Sequence, residues 1–177
     1  TTELLCRVAS SEAALVVNNN AAAIFLILAT FAKGKEVIVS RSELVQIGGG
    51  FRIPDILTSS GAKLVEVGTT NITTIDDYLE AITGRTAMVL KVHRSNFALR
   101  GFTAEPTIRE LAEALPDGLL LAVDQGSGVL DDDTPGEKAV STFIKEGAHL
   151  VSFSADKALG SVQAGCIVGD EALIATL

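Results

Sequence analysis

The feature that most constrains this chain is a regular alternation of helical patterns with short aliphatic runs. Six runs recur along its 177 residues: "EVIVS" (36–40), "KLVEVG" (63–68), "TAMVLKV" (86–92), "LLLAVD" (119–124), "HLVSFS" (149–154) and "GCIVG" (165–169). Helix-like segments cover about 2–14, 20–33, 54–60, 76–83, 106–115 and 137–146. A strand covered on both faces reads as a continuous aliphatic run, and such strands separated by helices are the signature of βαβ units. The pattern predicts an α/β three-layer sandwich, with a mostly parallel central sheet and helices on both faces. Punctuation agrees: "AKGKE" closes the second helix, "SSGAK" the third, and "TTIDD" offers a cap to the fourth.

A hydrophobic content of 47% supplies the core of one ordinary domain, and with no Trp that core is mostly Val, Leu, Ile and Ala. The net charge of −8 and a pI near 4.7 exclude a broad nucleic-acid-binding surface made by this segment itself, since phosphate neutralisation needs cations. A nucleic-acid role would need a local patch or a further part of the protein. Cys6 and Cys166 lie far apart without metal-ligand spacing and read as reduced thiols of a cytosolic protein. "AAAIFLILATFA" (21–32) is too short to span a bilayer and reads as a buried helix. "DDDTPGEK" (131–138) reads as a solvated turn rather than a metal site. The chain starts within one helical pattern and stops inside another, "DEALIATL", so a fragment of a longer protein is expected.

Ligands of such sheets sit beyond the carboxyl ends of the strands. His93 and Asn96 follow the third run, Asp124 ends the fourth, and Ser154, Asp156 and Lys157 follow the fifth. Taken alone, His93 reads first as a hydrogen-bonded structural histidine, and Asp124 as a cap for "QGSG". Lys157, among "SFSA" and "ALGS", is harder to place on a surface. Buried at a strand end, its amine would lose hydration and become nucleophilic. Together the three fit pyridoxal phosphate, which takes a lysine on its aldehyde, a carboxylate at its ring nitrogen and a flat group against its ring. Its phosphate needs donors. "VVNNNAAA" supplies Asn18, Asn19 and Asn20 at a helix start, where free N–H groups favour an anion, and Ser154 adds a hydroxyl. Plain helix capping remains the alternative for the asparagines.

Longer strings carry a resemblance: "VVNNNAAA", "GKEVIVSRSELVQIGGGFRIPDI", "GAKLVEVGTTN", "KVHRSNF", "DQGSG", "LVSFSADKALG" and "QAGCIVG". Over nearly its whole length the chain resembles bacterial selenocysteine synthases, the L-seryl-tRNA(Sec) selenium transferases, which are fold-type-I pyridoxal-phosphate enzymes. The resemblance implies the cofactor-binding large domain, with tRNA-binding and C-terminal domains elsewhere. It implies Lys157 as the cofactor-bearing lysine, Asp124 as partner of the ring nitrogen and His93 against the ring. The implied reaction converts seryl-tRNA(Sec) to selenocysteinyl-tRNA(Sec) through an aminoacrylate, with selenophosphate as selenium donor, in a cytoplasmic homo-oligomeric ring. Arg41, Arg52, Arg94 and Arg100 become candidate anion contacts, with surface ion pairs as the competing reading. The sequence departs from the family pattern at Ile72, where arginine is usual, and at Gln125, Ala155, Ser161 and Val162. Two other readings stay open: a related β-eliminating enzyme acting on a small amino acid, and a catalytically degenerate assembly subunit.

Overall fold

The computed structural model describes residues 1–47, 50–95 and 97–177. Seven strands form one sheet: β1 (Ala13–Val17), β2 (Glu36–Ser40), β5 (Lys63–Val67), β6 (Thr86–Val92), β7 (Leu120–Gly126), β8 (Leu150–Ser154) and β9 (Gly165–Gly169). Their spatial order is β1-β9-β8-β7-β6-β2-β5. The pairs β5–β2, β2–β6, β6–β7 and β7–β8 are parallel, whereas β9 runs antiparallel to both β8 and β1. Six strands therefore point the same way and β9 alone opposes them. A two-residue hairpin, β3 (Gln46–Ile47) with β4 (Phe51–Arg52), stands apart from the sheet.

The pleat sorts side chains into two cores. Ile38, Val89, Leu121, Val123, Val151 and Phe153 face one layer, which contains α1 (Thr2–Ala9), α4 (Ile75–Glu80), α5 (Ile108–Ala114) and α6 (Val140–Lys145). Their neighbours Val37, Val39, Met88, Leu90, Ala122 and Leu150 face α2 (Asn20–Phe31) and α3 (Ile53–Ser60). A short α7 (Glu171–Ile174) follows β9. This is the three-layer α/β sandwich that the alternating runs predict, and all six runs are strands.

Local chemistry sets the helix ends. Thr74 opens α4 and Thr107 opens α5, each with a reciprocal capping box, to Asp77 and Glu110 respectively. Gly61 closes α3 at φ 82, a conformation that favours glycine. The first segment differs from expectation: helix 2–14 is really α1 followed by strand β1. Ser10 adopts φ 54, which breaks the helix, and "AALVV" then pairs along its full length with β9. That partner lies about 150 residues downstream, so local periodicity carries no sign of it. Among the described residues no helix is long and apolar enough to cross a membrane.

Candidate active site

Because six strands run parallel, the residues after β1, β2, β6, β7 and β8 emerge along one edge of the sheet. They are Asn18–Asn20, Arg41–Glu43, His93–Arg94, Ser127 and the turn 155–159 that carries Lys157, with Asp124 in the last residues of β7 beside them. The antiparallel β9 brings its amino end, Gly165, to the same edge.

Asp124 is the buried centre of this edge, 2% exposed near the end of β7. The pleat turns it toward α2, where the Asn20 side-chain amide donates to its Oδ1 at 2.7 Å. Ser152 Oγ donates more weakly to the same oxygen at 3.4 Å. Burial pushes the Asp124 carboxyl above its ordinary range, while the Asn20 hydrogen bond and the Lys157 charge pull it back.

Lys157 departs from expectation. It is exposed, on a turn beyond β8, and acts on Asp124 through space without ion-pair contact. The expected burial at the strand end is therefore not found: the side chain stands in a turn outside the sheet. The turn itself is fixed: Ala158 N–H donates to Ser127 O at 2.9 Å, and Gly160 N–H donates to Lys157 O at 3.0 Å. "DQGSG" makes this docking possible. Gly128 has φ +77, and a Cβ there would meet Ser154 O at 2.4 Å. Ala155, where the family pattern has glycine, is buried without a positive φ, so alanine fits the backbone there.

The asparagine triplet divides its work. Asn18 is exposed, Asn19 Oδ1 caps α2 by accepting from Ala22 N–H at 2.8 Å, and Asn20 is buried. Asn20 gives its amide to Asp124 rather than to an anion at the helix mouth. Its Oδ1 is buried without a partner. The α2 start is pressed against β9: a Cβ on Gly165 would lie 2.1 Å from Asn19 O and 2.8 Å from Asn20 N. The residue pattern suits pyridoxal phosphate, with a buried carboxylate, a nearby lysine, a helix N-terminus and a cradle that a Cβ would fill.

His93 projects toward the opposite layer. Its Nε2 is 2.9 Å from Glu137 Oε2, and its ring lies 6.4 Å from Phe143 at 56°. Glu137 also accepts from Ser127 Oγ at 2.7 Å, so a residue read as part of a solvated turn belongs to this edge. Asp132 of the same loop accepts from Ala139 N–H, just before α6, and from Thr142 Oγ1 within it, which ties the acidic run to the start of that helix. Beside His93 opens a cleft of about 410 Å³ whose walls include Glu43, Lys91, Arg94 and Glu105 but neither Asp124 nor Lys157. Glu43, 1% exposed, pairs with Lys91. Neither residue is marked by sequence pattern; the only hint is that Glu43 closely follows a strand end.

Three of the candidate arginines have protein partners. Exposed Arg41 pairs with Glu66 at 3.2 Å and donates to Gly68 O, Arg94 bonds Ser42 Oγ and Glu105, and Arg52 donates to Gln46 at 2.8 Å. Arg100 is exposed, and Ser154 is buried at the end of β8. Asn96 lies outside the described residues. Ile72 is half-buried and forms a parallel bridge to Ala104.

Solved structures share this architecture. A D-glucosaminate-6-phosphate ammonia-lyase superposes with a TM-score of 0.83 at 23% identity, over 99% of this chain and 48% of that one. A putative O-acetylhomoserine (thiol)-lyase from Campylobacter jejuni, solved with N'-pyridoxyl-lysine-5'-monophosphate, superposes with a TM-score of 0.70 at 18% identity, over 99% of this chain and 41% of that one. The fold is that of the fold-type-I pyridoxal-phosphate-dependent enzymes. The family profile described as SelA, L-seryl-tRNA selenium transferase, matches residues 1–177, and the chain belongs to that family. It is 54% identical to the L-seryl-tRNA(Sec) selenium transferase of Haemophilus ducreyi over 99% of its own length and 39% of the relative's. The corresponding protein of Nautilia profundicola is 53% identical, over 97% of this chain and 40% of the relative. The chain thus spans about two-fifths of the curated relatives it matches.

Proposed function

We propose that residues 1–177 are the cofactor-binding large domain of a cytoplasmic, ring-forming selenium transferase that converts seryl-tRNA(Sec) to selenocysteinyl-tRNA(Sec). The tRNA-binding and C-terminal domains would belong to other parts of the protein. The observation that carries this reading is Asp124, a carboxylate buried at the functional edge of the sheet beside the Lys157 turn, in a chain of this family.

Lys157 would hold pyridoxal phosphate at its aldehyde carbon, and Asp124 would face the ring nitrogen. His93, held here by Glu137 toward the opposite layer, would have to turn to stand beside the ring. Asn18, Asn19, the α2 N-terminus and Ser154 would receive the phosphate. When bound, the group would supply an electron sink at the seryl α-carbon, the chemistry needed to exchange the β-hydroxyl for selenium by way of an aminoacrylate, with selenophosphate as donor and phosphate released. Asp124, as a carboxylate, favours a proton on the ring nitrogen and so sustains that sink. The exposed Lys157 amine, when not joined to the cofactor, would be the group to move a proton at the α-carbon. Arg41, Arg52 and Arg94 would contact anionic groups of the substrates after exchanging their present partners.

The test uses the full-length protein. Borohydride reduction in the presence of pyridoxal phosphate should attach the cofactor to the peptide containing Lys157. The reduced label should be absent from Lys157→Ala. Labelling at another lysine, or none, would overturn the site. Turnover of free serine or cysteine, with none of seryl-tRNA(Sec), would replace the transferase reading with that of a small-amino-acid β-eliminating enzyme.

A further inference from the structure

Asn20 sits where the sequence suggests a phosphate ligand, yet its geometry ties it to the opposite end of the cofactor. The residue is 8% exposed, and its amide nitrogen lies 2.7 Å from Asp124 Oδ1, bridging the first turn of α2 and the end of β7. The amide orientation follows from chemistry: with its ends exchanged, a carbonyl oxygen would face a carboxylate oxygen without a proton between them. Both hydrogen bonds described at Asp124 fall on Oδ1, from Asn20 and Ser152, which leaves Oδ2 for a further proton donor. Asn19, one residue earlier, already supplies the cap, so Asn20 is not needed to start the helix.

We propose that Asn20 is a positioning residue for Asp124: it orients the carboxylate, and it does not serve the phosphate. This rests on the reading of Asp124 as partner of the cofactor's ring nitrogen. Two consequences follow from the bond. A donor on Oδ1 fixes the rotation of the carboxyl group, which directs Oδ2. It also favours the charged form in a place where burial disfavours it.

The deciding experiment compares two ligands of the full-length protein: pyridoxal phosphate and its 1-deaza analogue, which keeps aldehyde and phosphate but has no ring nitrogen. Asn20→Ala should weaken pyridoxal phosphate binding about tenfold, the effect of one charge-assisted hydrogen bond, and change analogue binding less than twofold. Asn20→Asp, equal in size but placing a second carboxylate against the first, should bind pyridoxal phosphate more weakly than Asn20→Ala. Equal losses for both ligands would overturn the proposal and return Asn20 to the phosphate. Rescue by Asn20→Asp would overturn it in favour of packing. Asn20→Ser, which keeps a shorter donor at that position, serves if Asn20→Ala does not fold, and should likewise lose more affinity for pyridoxal phosphate than for the deaza analogue. A wild-type protein that binds neither ligand would instead refute the cofactor reading itself, a separate outcome.

Discussion

Glu43 and Lys91 form a buried ion pair that ties the turn after β2 to the last residues of β6. The second Glu43 oxygen accepts the Val92 N–H at 2.9 Å, and Lys91 Nζ lies 5.9 Å from the centre of the Tyr78 ring. The carboxylate thus spans a side chain and the backbone immediately before His93. Removing one partner strands the other charge in a low-dielectric site. Glu43→Gln or Lys91→Met alone should destabilise the protein by about 3–5 kcal/mol, and the double variant by clearly less than the sum. Urea unfolding of the four proteins measures the cycle; strict additivity would show that the two charges do not interact.

Asp124 makes stability depend on pH in a defined direction. Burial raises its folded-state pKa above the ordinary 3.8, so the folded chain binds more protons than the unfolded one in that window. This contribution to stability is present below the ordinary value and is lost as pH rises through the folded value. Asp124→Asn cannot ionise. The cofactor-free variant should therefore be more stable than wild type at neutral pH, with the difference shrinking toward pH of about 4. Denaturant midpoints across that range test this, and parallel curves for the two proteins would remove the buried charge from the account.

Gly165 should tolerate no side chain. The contact with Asn19 O is with backbone, which cannot swing aside, so Gly165→Ala must push the start of α2 away from β9. A loss of about 1–3 kcal/mol is expected from overpacking. Weaker pyridoxal phosphate binding should accompany it, because the same shift moves the helix mouth. Calorimetric unfolding and cofactor titration read the two effects separately.

Thr74→Ala provides the contrasting case. Thr74 Oγ1 accepts the Asp77 N–H and donates to Asp77 Oδ2 at 2.8 Å, at the start of α4. Its loss should cost about 1 kcal/mol of stability with cofactor affinity unchanged. An altered affinity in the same titration would tie α4 to the site.

The fold was legible because buried parallel strands announce themselves as aliphatic runs, and the position of Asp124 at a buried strand end because such runs mark where strands stop. Other features depend on distant contacts. β1 needs its partner β9 to be a strand, and Asn20 needs Asp124 to reveal that its amide turns inward. Glu43, Lys91 and Glu137 look like ordinary surface charges in sequence, since burial is a property of the assembled layers. Lys157 failed in the other direction. Its small and apolar neighbours suggested burial, whereas the side chain stands on a turn outside the sheet.

The reversal of direction between β8 and β9 gives that turn a mechanical character. Its two ends are joined, Ala155 N–H to Ala164 O and Ser161 N–H to Ala155 O, both at 2.9 Å. The turn is therefore a closed loop hung from adjacent strands and docked by Ala158 onto Ser127, just beyond β7. Val162, which differs from the family pattern, is exposed on this loop. The backbone of the turn is thus held at its base and at Ala158, so what can reorient over this edge of the sheet is the exposed Lys157 side chain and not the loop that carries it.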